Sequence, residues 1–277
     1  MMAEAKTHHL PTRQVDLMAS TRRWTGRAGQ LALWALPLLG FLLTWQILVM
    51  AGVFNRVVIP PPTRVAQAVW EFFATGTIWP HMIDSLQRAV TGFGISILLG
   101  LPLGILIGWF KVFDRIVGPV LEVFRQLPPL ALFPVMIVLF GLGLRAQVAI
   151  VVWASLWPIL LNTISGTREV DRTLIKAAKS LGASEFKMFT KVVLPSAVPV
   201  ISTGLRLGGA YALLVLVAAE MIGANSGLGF LILRSQYNFR IPDMYAAIVI
   251  LALVGLAVNY LLIAFERRMT RWRQRMS

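Results

Sequence analysis

Apolar runs of about 20 residues recur along this chain, and no other feature constrains its fold as strongly. A backbone in hydrocarbon must satisfy its own N–H and C=O groups, so spanning segments are helices or closed barrels. A helix needs about 20 apolar residues to cross, roughly twice the length of a barrel strand. Six such runs can be read, at 31–53, 85–109, 117–140, 146–165, 198–222 and 244–264. The third is interrupted by Glu122, Arg125 and Pro128-Pro129. The expected fold class is therefore an all-α membrane protein with about six transmembrane helices, embedded in a lipid bilayer.

Composition agrees. Only 14% of the 277 residues are charged and mean hydropathy is +0.73, whereas soluble domains carry about 25% charged residues. Cysteine is absent, which excludes disulfides and thiolate metal sites. His8 and His9 lie in a polar tail and His81 near a membrane boundary, so no metal cluster is expected. The net charge of +14 could suggest nucleic acid, but the basic residues gather beside the apolar runs, where they orient a membrane protein. No nucleic-acid partner is expected. Arg22-Arg23 hint at an export signal, but the run that follows is too long and lacks a small-residue cleavage site; an uncleaved first span fits better.

Charge then predicts topology. With a cytoplasmic N-terminus and six crossings, Lys6, Arg13, Arg22, Arg23, Arg27, Lys111, Arg115, the basic residues from Arg168 to Lys191, and Arg267, Arg268, Arg271, Arg273 and Arg275 fall inside. Arg56, Arg64, Arg145, Arg234 and Arg240 fall outside. This asymmetry places both termini in the cytoplasm. The expected organisation is a tail over 1–30, a transmembrane domain over 31–266 with a cytoplasmic loop at 167–197, and a basic tail over 267–277.

Two external segments are more than plain loops. Val65, Ala68, Val69, Phe72 and Phe73 recur at helical spacing after Pro60-Pro61-Pro62, with Arg64, Gln67 and Glu71 opposite, which predicts an amphipathic surface helix. The stretch 223–243, glycine-rich and then semi-apolar, is read either as a connector with a short interfacial helix or as part of an external docking face or gate. Within the spans, Gly100, Gly104 and Gly108, and again Gly204 and Gly208 followed by Gly209, let helix backbones approach closely.

Four ionisable residues at membrane depth are candidates for a translocation path: Glu122, Arg125, Arg206 and Glu220. Each costs roughly 2.5–3.5 kcal/mol at the bilayer centre unless paired or hydrated. Glu122 and Arg125, three apart, share a helical face and can neutralise each other. Arg206 and Glu220 lie too far apart in one span to pair. Arg125 and Arg206 can alternatively snorkel to an interface, and Glu220 can cap or pair near the outer end.

The segment 168–195 interrupts the apolar pattern with Arg168, Arg172, Lys176, Lys179, Lys187 and Lys191. Val170, Leu174, Ala177, Ala178 and Leu181 predict one helical face. Gly182 suits the left-handed residue that ends a helix. Ser184 can cap a second helix through Phe186, Phe189 and Val193, which Leu194-Pro195 is expected to stop. The reading is helix, glycine turn, helix, with Ala177-Ala178 offering a flat surface for a partner.

Here the chain resembles a family. Ala177-Ala178, Gly182 after three intervening residues, and Val192 before Leu194-Pro195 match in spacing the cytoplasmic signature loop of ATP-binding-cassette importer permeases. The family pattern begins with Glu where this chain has Lys176, a departure that leaves the alanine face and the turn intact. The stretches 125–131 with 140–143, and 219–229, resemble the nitrate, sulfonate and taurine branch. The resemblance, covering roughly 60–265, implies a type I importer permease fold with a cytoplasmic coupling helix in a bacterial inner membrane. It implies two ATPase subunits that receive Lys176, Ala177, Ala178, Gly182, Ala183, Leu194 and Pro195, a second permease copy, and a periplasmic binding protein that delivers a small anionic solute. No phosphate-binding glycine loop occurs here, so ATP hydrolysis belongs to another polypeptide, and no catalytic residue or cofactor is expected. A stand-alone channel or carrier is disfavoured by the missing acidic relay. An intramembrane enzyme is disfavoured by the absence of His or Cys ligands and of paired acids.

Overall fold

The computed structural model describes residues 27–270, with side chains described from residue 36 onward. The described residues contain helices and no strand. They divide into two compact units, one ending at Arg64 and one starting at Val65. In the first unit, α1 (Arg27–Met50) covers most of the expected first span. Its C-terminal carbonyls are capped by Arg56, whose Nη2 donates to the Met50 carbonyl at 2.9 Å. The tails at 1–26 and 271–277, including most of both expected terminal segments, lie outside the described residues.

Helix α2 (Pro62–Ala74) leads into the second unit and buries Val65, Ala68 and Phe72, the amphipathic face that the sequence predicts. Phe73 turns out of that face and packs edge-on against Trp79 at 5.7 Å. Then follow α3 (Ile78–Trp109), α4 (Lys111–Phe124), α5 (Pro129–Phe140), α6 (Leu144–Arg168), α7 (Arg172–Ser180), α8 (Glu185–Met188), α9 (Leu194–Gly223), α10 (Leu228–Tyr237) and α11 (Ile241–Thr270). Among the described residues, α3, α6, the continuous helix Glu185–Gly223 and α11 are each long and apolar enough to cross a membrane.

Two expectations need correction. The run at 117–140 is not one helix: α4 and α5 meet at 97°. Pro129 disfavours helical geometry in the residue before it, and Pro128 is accordingly extended, with φ −63° and ψ 126°. Leu194-Pro195 does not stop the second loop helix. The chain continues from α8 through a π-helical turn, Phe189–Val193, into α9, so Glu185–Gly223 is one helix of 39 residues. The Leu194 N–H donates to the Phe189 carbonyl five residues back. Pro195, which has no N–H to give, sits in the first turn of α9 just past this looser turn.

The glycine patterns explain the core. Helix α6 packs against both α3 and α9. On the α3 side, a β-carbon on Gly92 would come within 2.5 Å of Val151, on Gly100 within 2.9 Å of Ile159, and on Gly104 within 2.6 Å of Thr163; on Gly108 it would strike Thr167. From contact to contact both helices advance by the same number of residues, eight and then four, in the same direction, so they run parallel. On the other side, Gly204 meets Asn162 and Gly208 meets Ile159 in the opposite order, so α9 is antiparallel to α6. Ile159, Val151 and Leu216 are fully buried at this centre. Backbone approach of this kind is the main route to helix association where no water is expelled.

Candidate functional sites at the two ends of the bundle

The 168–195 loop forms one end. The Asp171 carboxylate accepts the Thr173 N–H at 2.7 Å and caps α7; that bond holds its carboxyl below the ordinary pKa. Helix α7 closes with the Ala183 N–H on the Ala178 carbonyl and the Gly182 N–H on the Lys179 carbonyl, both at 3.0 Å. This pair of bonds is a Schellman motif, which places its C′ residue in the left-handed region; Gly182 has φ +74°. Ser184 accepts the Lys187 N–H at 3.4 Å and starts α8. Lys179 reaches Glu185 across the turn at 3.5 Å.

The loop has a buried base and a bare tip. Val170, Met188 and Val193 are buried, and Phe189 meets Trp109 edge-on at 5.3 Å. Arg168 pairs with Asp114 of α4. At the tip, Lys176, Ala177 and Gly182 are exposed, Ala178 and Ala183 half-buried, and Leu194 and Pro195 half-buried at the base. Leu181 is 88% and Phe186 76% exposed. The sequence reading placed these two on helix faces; the structure turns them outward on either side of Gly182.

The opposite end holds a buried polar network. The Glu220 side chain is fully buried, and its Oε1 lies 2.8 Å from Nη1 of Arg88, whose side chain is 10% exposed. Ser85 Oγ donates to the same carboxylate at 2.8 Å, and the Gly229 N–H donates to Oε2 at 3.0 Å. Arg88 also donates to the Ser226 carbonyl at 2.7 Å and to its hydroxyl at 2.8 Å. Ser85 Oγ accepts the Leu228 N–H at 2.8 Å, and His81 Nδ1 accepts the Gly227 N–H at 3.1 Å. Gln147 donates to the Gly223 carbonyl at 3.1 Å. The network thus clamps the 224–227 turn, between α9 and α10, onto α3. Gly227 has φ +115°, and a β-carbon there would strike the Glu220 carboxylate.

Arg88 was not among the residues selected from the sequence. Its signal was available: an arginine inside an apolar run requires a counter-charge, and Glu220 required one too. The other candidates are also paired. Glu122 and Arg125 lie 2.7 Å apart and both are exposed. Arg206 Nε sits 3.2 Å from Glu266 of α11, at a geometry short of a hydrogen bond; Thr203 donates to the same carboxylate at 3.0 Å. The structure therefore does not bring the four path candidates together.

Comparison with known proteins decides the class. Residues 100–271 match the family described as binding-protein-dependent transport system inner membrane component. The chain belongs to this family. Among its relatives, a probable ABC transporter permease of Brucella abortus is 34% identical over 83% of this chain and 91% of that protein. The taurine transport system permease of Escherichia coli is 34% identical, covering 84% and 87%. The bicarbonate transport system permease of a Synechocystis strain is 30% identical, covering 85% and 88%. The inward-facing MetNI methionine ABC transporter shares the fold, with a TM-score of 0.59 at 21% identity over 68% of this chain and 93% of that one. An amino acid ABC transporter shares it too, at 0.58 and 23% over 71% and 98%. The chain is a type I importer permease, a transport subunit rather than an enzyme, and the family implies an ATPase and a substrate-binding protein as partners.

Proposed function

We propose that this permease works as a homodimer in a bacterial inner membrane and imports a small anionic solute delivered by a periplasmic binding protein. The 168–195 loop faces the cytoplasm, where two ATPase subunits grip it. The observation that carries this reading is the loop tip: Leu181 and Phe186 stand exposed around the Gly182 turn, on a base held by buried Val170, Met188 and Val193. A capped, anchored helix pair is stiff enough to act as a lever. ATP binding closes the ATPases and displaces the tip. The helix Glu185–Gly223 carries that displacement as a unit to Glu220, roughly 50 Å away at 1.5 Å per residue.

The pairing of Glu122 with Arg125 supports the dimer. Among the described residues helix α4 buries no side chain of its own, yet Glu122 and the capping residue Arg125 stand half in the open. Charges are costly against lipid, so this face meets protein or water, as the wall of a path between two copies would. Arg125, half-exposed beside Glu122, then supplies a guanidinium at the edge of that path, while Arg206 is matched by Glu266 and Glu220 holds one end of the bundle closed. An oxyanion is the substrate class favoured by relatives named for taurine, aliphatic sulfonates and bicarbonate.

Reconstitution with the ATPase and binding protein tests the loop. Gly182→Val and Ala178→Trp are expected to hydrolyse ATP with transport reduced at least tenfold. Transport at the unmodified rate in both variants refutes the docking assignment.

A further inference from the structure

We propose that His81 makes the clamp on the 224–227 turn a proton-sensitive latch, in which a proton taken up at Nδ1 frees the Gly227 N–H and loosens that end of the bundle.

His81 is the one histidine among the described residues, and histidine is the side chain whose ordinary titration falls between pH 5 and 8. Its Nδ1 accepts the Gly227 N–H at 3.1 Å. A ring nitrogen accepts only while it carries no proton, so this bond requires a neutral imidazole with its hydrogen on Nε2. Proton binding at Nδ1 turns the acceptor into a donor and sets two N–H groups against each other. The neighbouring residues of the turn are held separately: Arg88 takes the Ser226 carbonyl, and Ser85 accepts the Leu228 N–H. The hold on Gly227 itself is the imidazole.

The proton has a route. His81 is half-buried, and of the side chains that clamp the turn it alone lines a cavity of about 520 Å³ between α2, the start of α3, α10 and the start of α11. Other walls of that cavity, Glu71, Arg234, Asn238 and Arg240, are exposed, so solvent reaches it. Ser85, Arg88 and Glu220 are buried and outside those walls. Phe230 of α10 flanks the imidazole, with ring centroids 6.0 Å apart.

Charges face the imidazole from several elements. Asp84 and Arg88 stand on its own helix, and Arg234 faces it from α10. Glu71 of α2 shares the cavity, as do Arg240 and Asp243, which pair with each other at 2.6 Å. Glu220 of α9 is matched by Arg88 at 2.8 Å. Arg234 has no carboxylate partner among the described residues, so an imidazolium meets an unmatched guanidinium. Proton uptake and the Gly227 bond exclude one another. The latch is therefore at full strength above about pH 6.5, the ordinary value for a released imidazole, and weakens by up to about tenfold at pH 5.5.

Hydrogen exchange of the 224–231 segment, read by mass spectrometry on the permease assembled with its ATPase in lipid nanodiscs, tests the latch. Both faces meet the same buffer there, so the result does not depend on which end is cytoplasmic. Protection, corrected for the intrinsic effect of pH on exchange, is expected to fall roughly three- to tenfold from pH 7.5 to 5.5, while that of the 150–160 stretch of α6 stays constant. His81→Gln keeps an acceptor that does not titrate, and its protection should be equal at both pH values. Arg234→Gln removes the facing guanidinium and should move the midpoint of the fall to higher pH. Constant protection in the unmodified protein overturns the proposal. So does a fall that persists in His81→Gln, which assigns the titration to another group. If His81→Gln is poorly protected already at pH 7.5, Arg234→Gln decides, and a midpoint that does not move overturns the proposal.

Discussion

At Gly182 an added β-carbon would meet nothing within 4 Å; at Gly227 it would strike the Glu220 carboxylate. Both glycines have positive φ, and both turn the chain between helices at an end of the bundle. The Gly227 turn is filled from within the chain, by Arg88, Ser85, His81 and Glu220. The Gly182 turn is empty around its tip, and its apolar neighbours point into solvent. The contrast separates a turn packed from within the chain from a turn left open around its tip. A glycine in the sequence does not reveal which it is.

Substitutions can break or sharpen this contrast. Glu220→Ala should have the largest effect on stability. It leaves buried Arg88 with only the longer pair to half-exposed Asp84 at 3.8 Å, a loss of up to about 3–5 kcal/mol, and thermal unfolding of the purified protein should show a clear drop. A melting temperature equal to that of the parent would mean that the network does not hold the turn. Gly227→Ala should follow, since it adds a steric clash to the backbone strain. Gly182→Ala should lose only the strain, about 1–2 kcal/mol. The order of those two melting temperatures checks the contrast directly, and a reversed order refutes it. Phe186→Ala should change stability by less than about 0.5 kcal/mol, as for surface positions generally, while lowering transport per ATP hydrolysed. A comparably small stability effect is expected at Arg125→Gln, whose exposed pair is worth roughly 0.2–1 kcal/mol. Its informative readout is the uptake rate of an anion, which should fall; unchanged uptake removes Arg125 from the path.

Much of the architecture was legible in advance because it depends on local rules. Span positions follow from run length, the α2 face from helical spacing, and the close backbone approach along α3 and α9, though not its partner α6, from glycines four apart. The Schellman end at Gly182 and the cap at Ser184 follow from turn chemistry. The failures arose where a local rule had two outcomes. Pro128-Pro129 broke a helix, whereas Pro195 was absorbed because the preceding π turn loosened the helix ahead of it. Leu181 and Phe186 read as apolar helix faces, and apolar periodicity cannot say whether a face meets its own bundle or another protein. The left-handed φ of +54° at Phe239 was invisible because a strained φ leaves no mark on composition.

The sequence by itself determined that this chain is a bundle of membrane helices, where those helices lie, and that a basic helix-turn-helix interrupts them, because hydrocarbon, helical period and turn geometry act on neighbouring residues. Only the tertiary structure decided which charges are matched. Arg88 and Glu220 lie 132 residues apart, as do no two positions that periodicity could connect, and Arg206 finds Glu266 on another helix. Electrostatic pairing depends on distance in space, and in a low-dielectric interior each unmatched charge is costly enough for the packed helices to bring its partner to it.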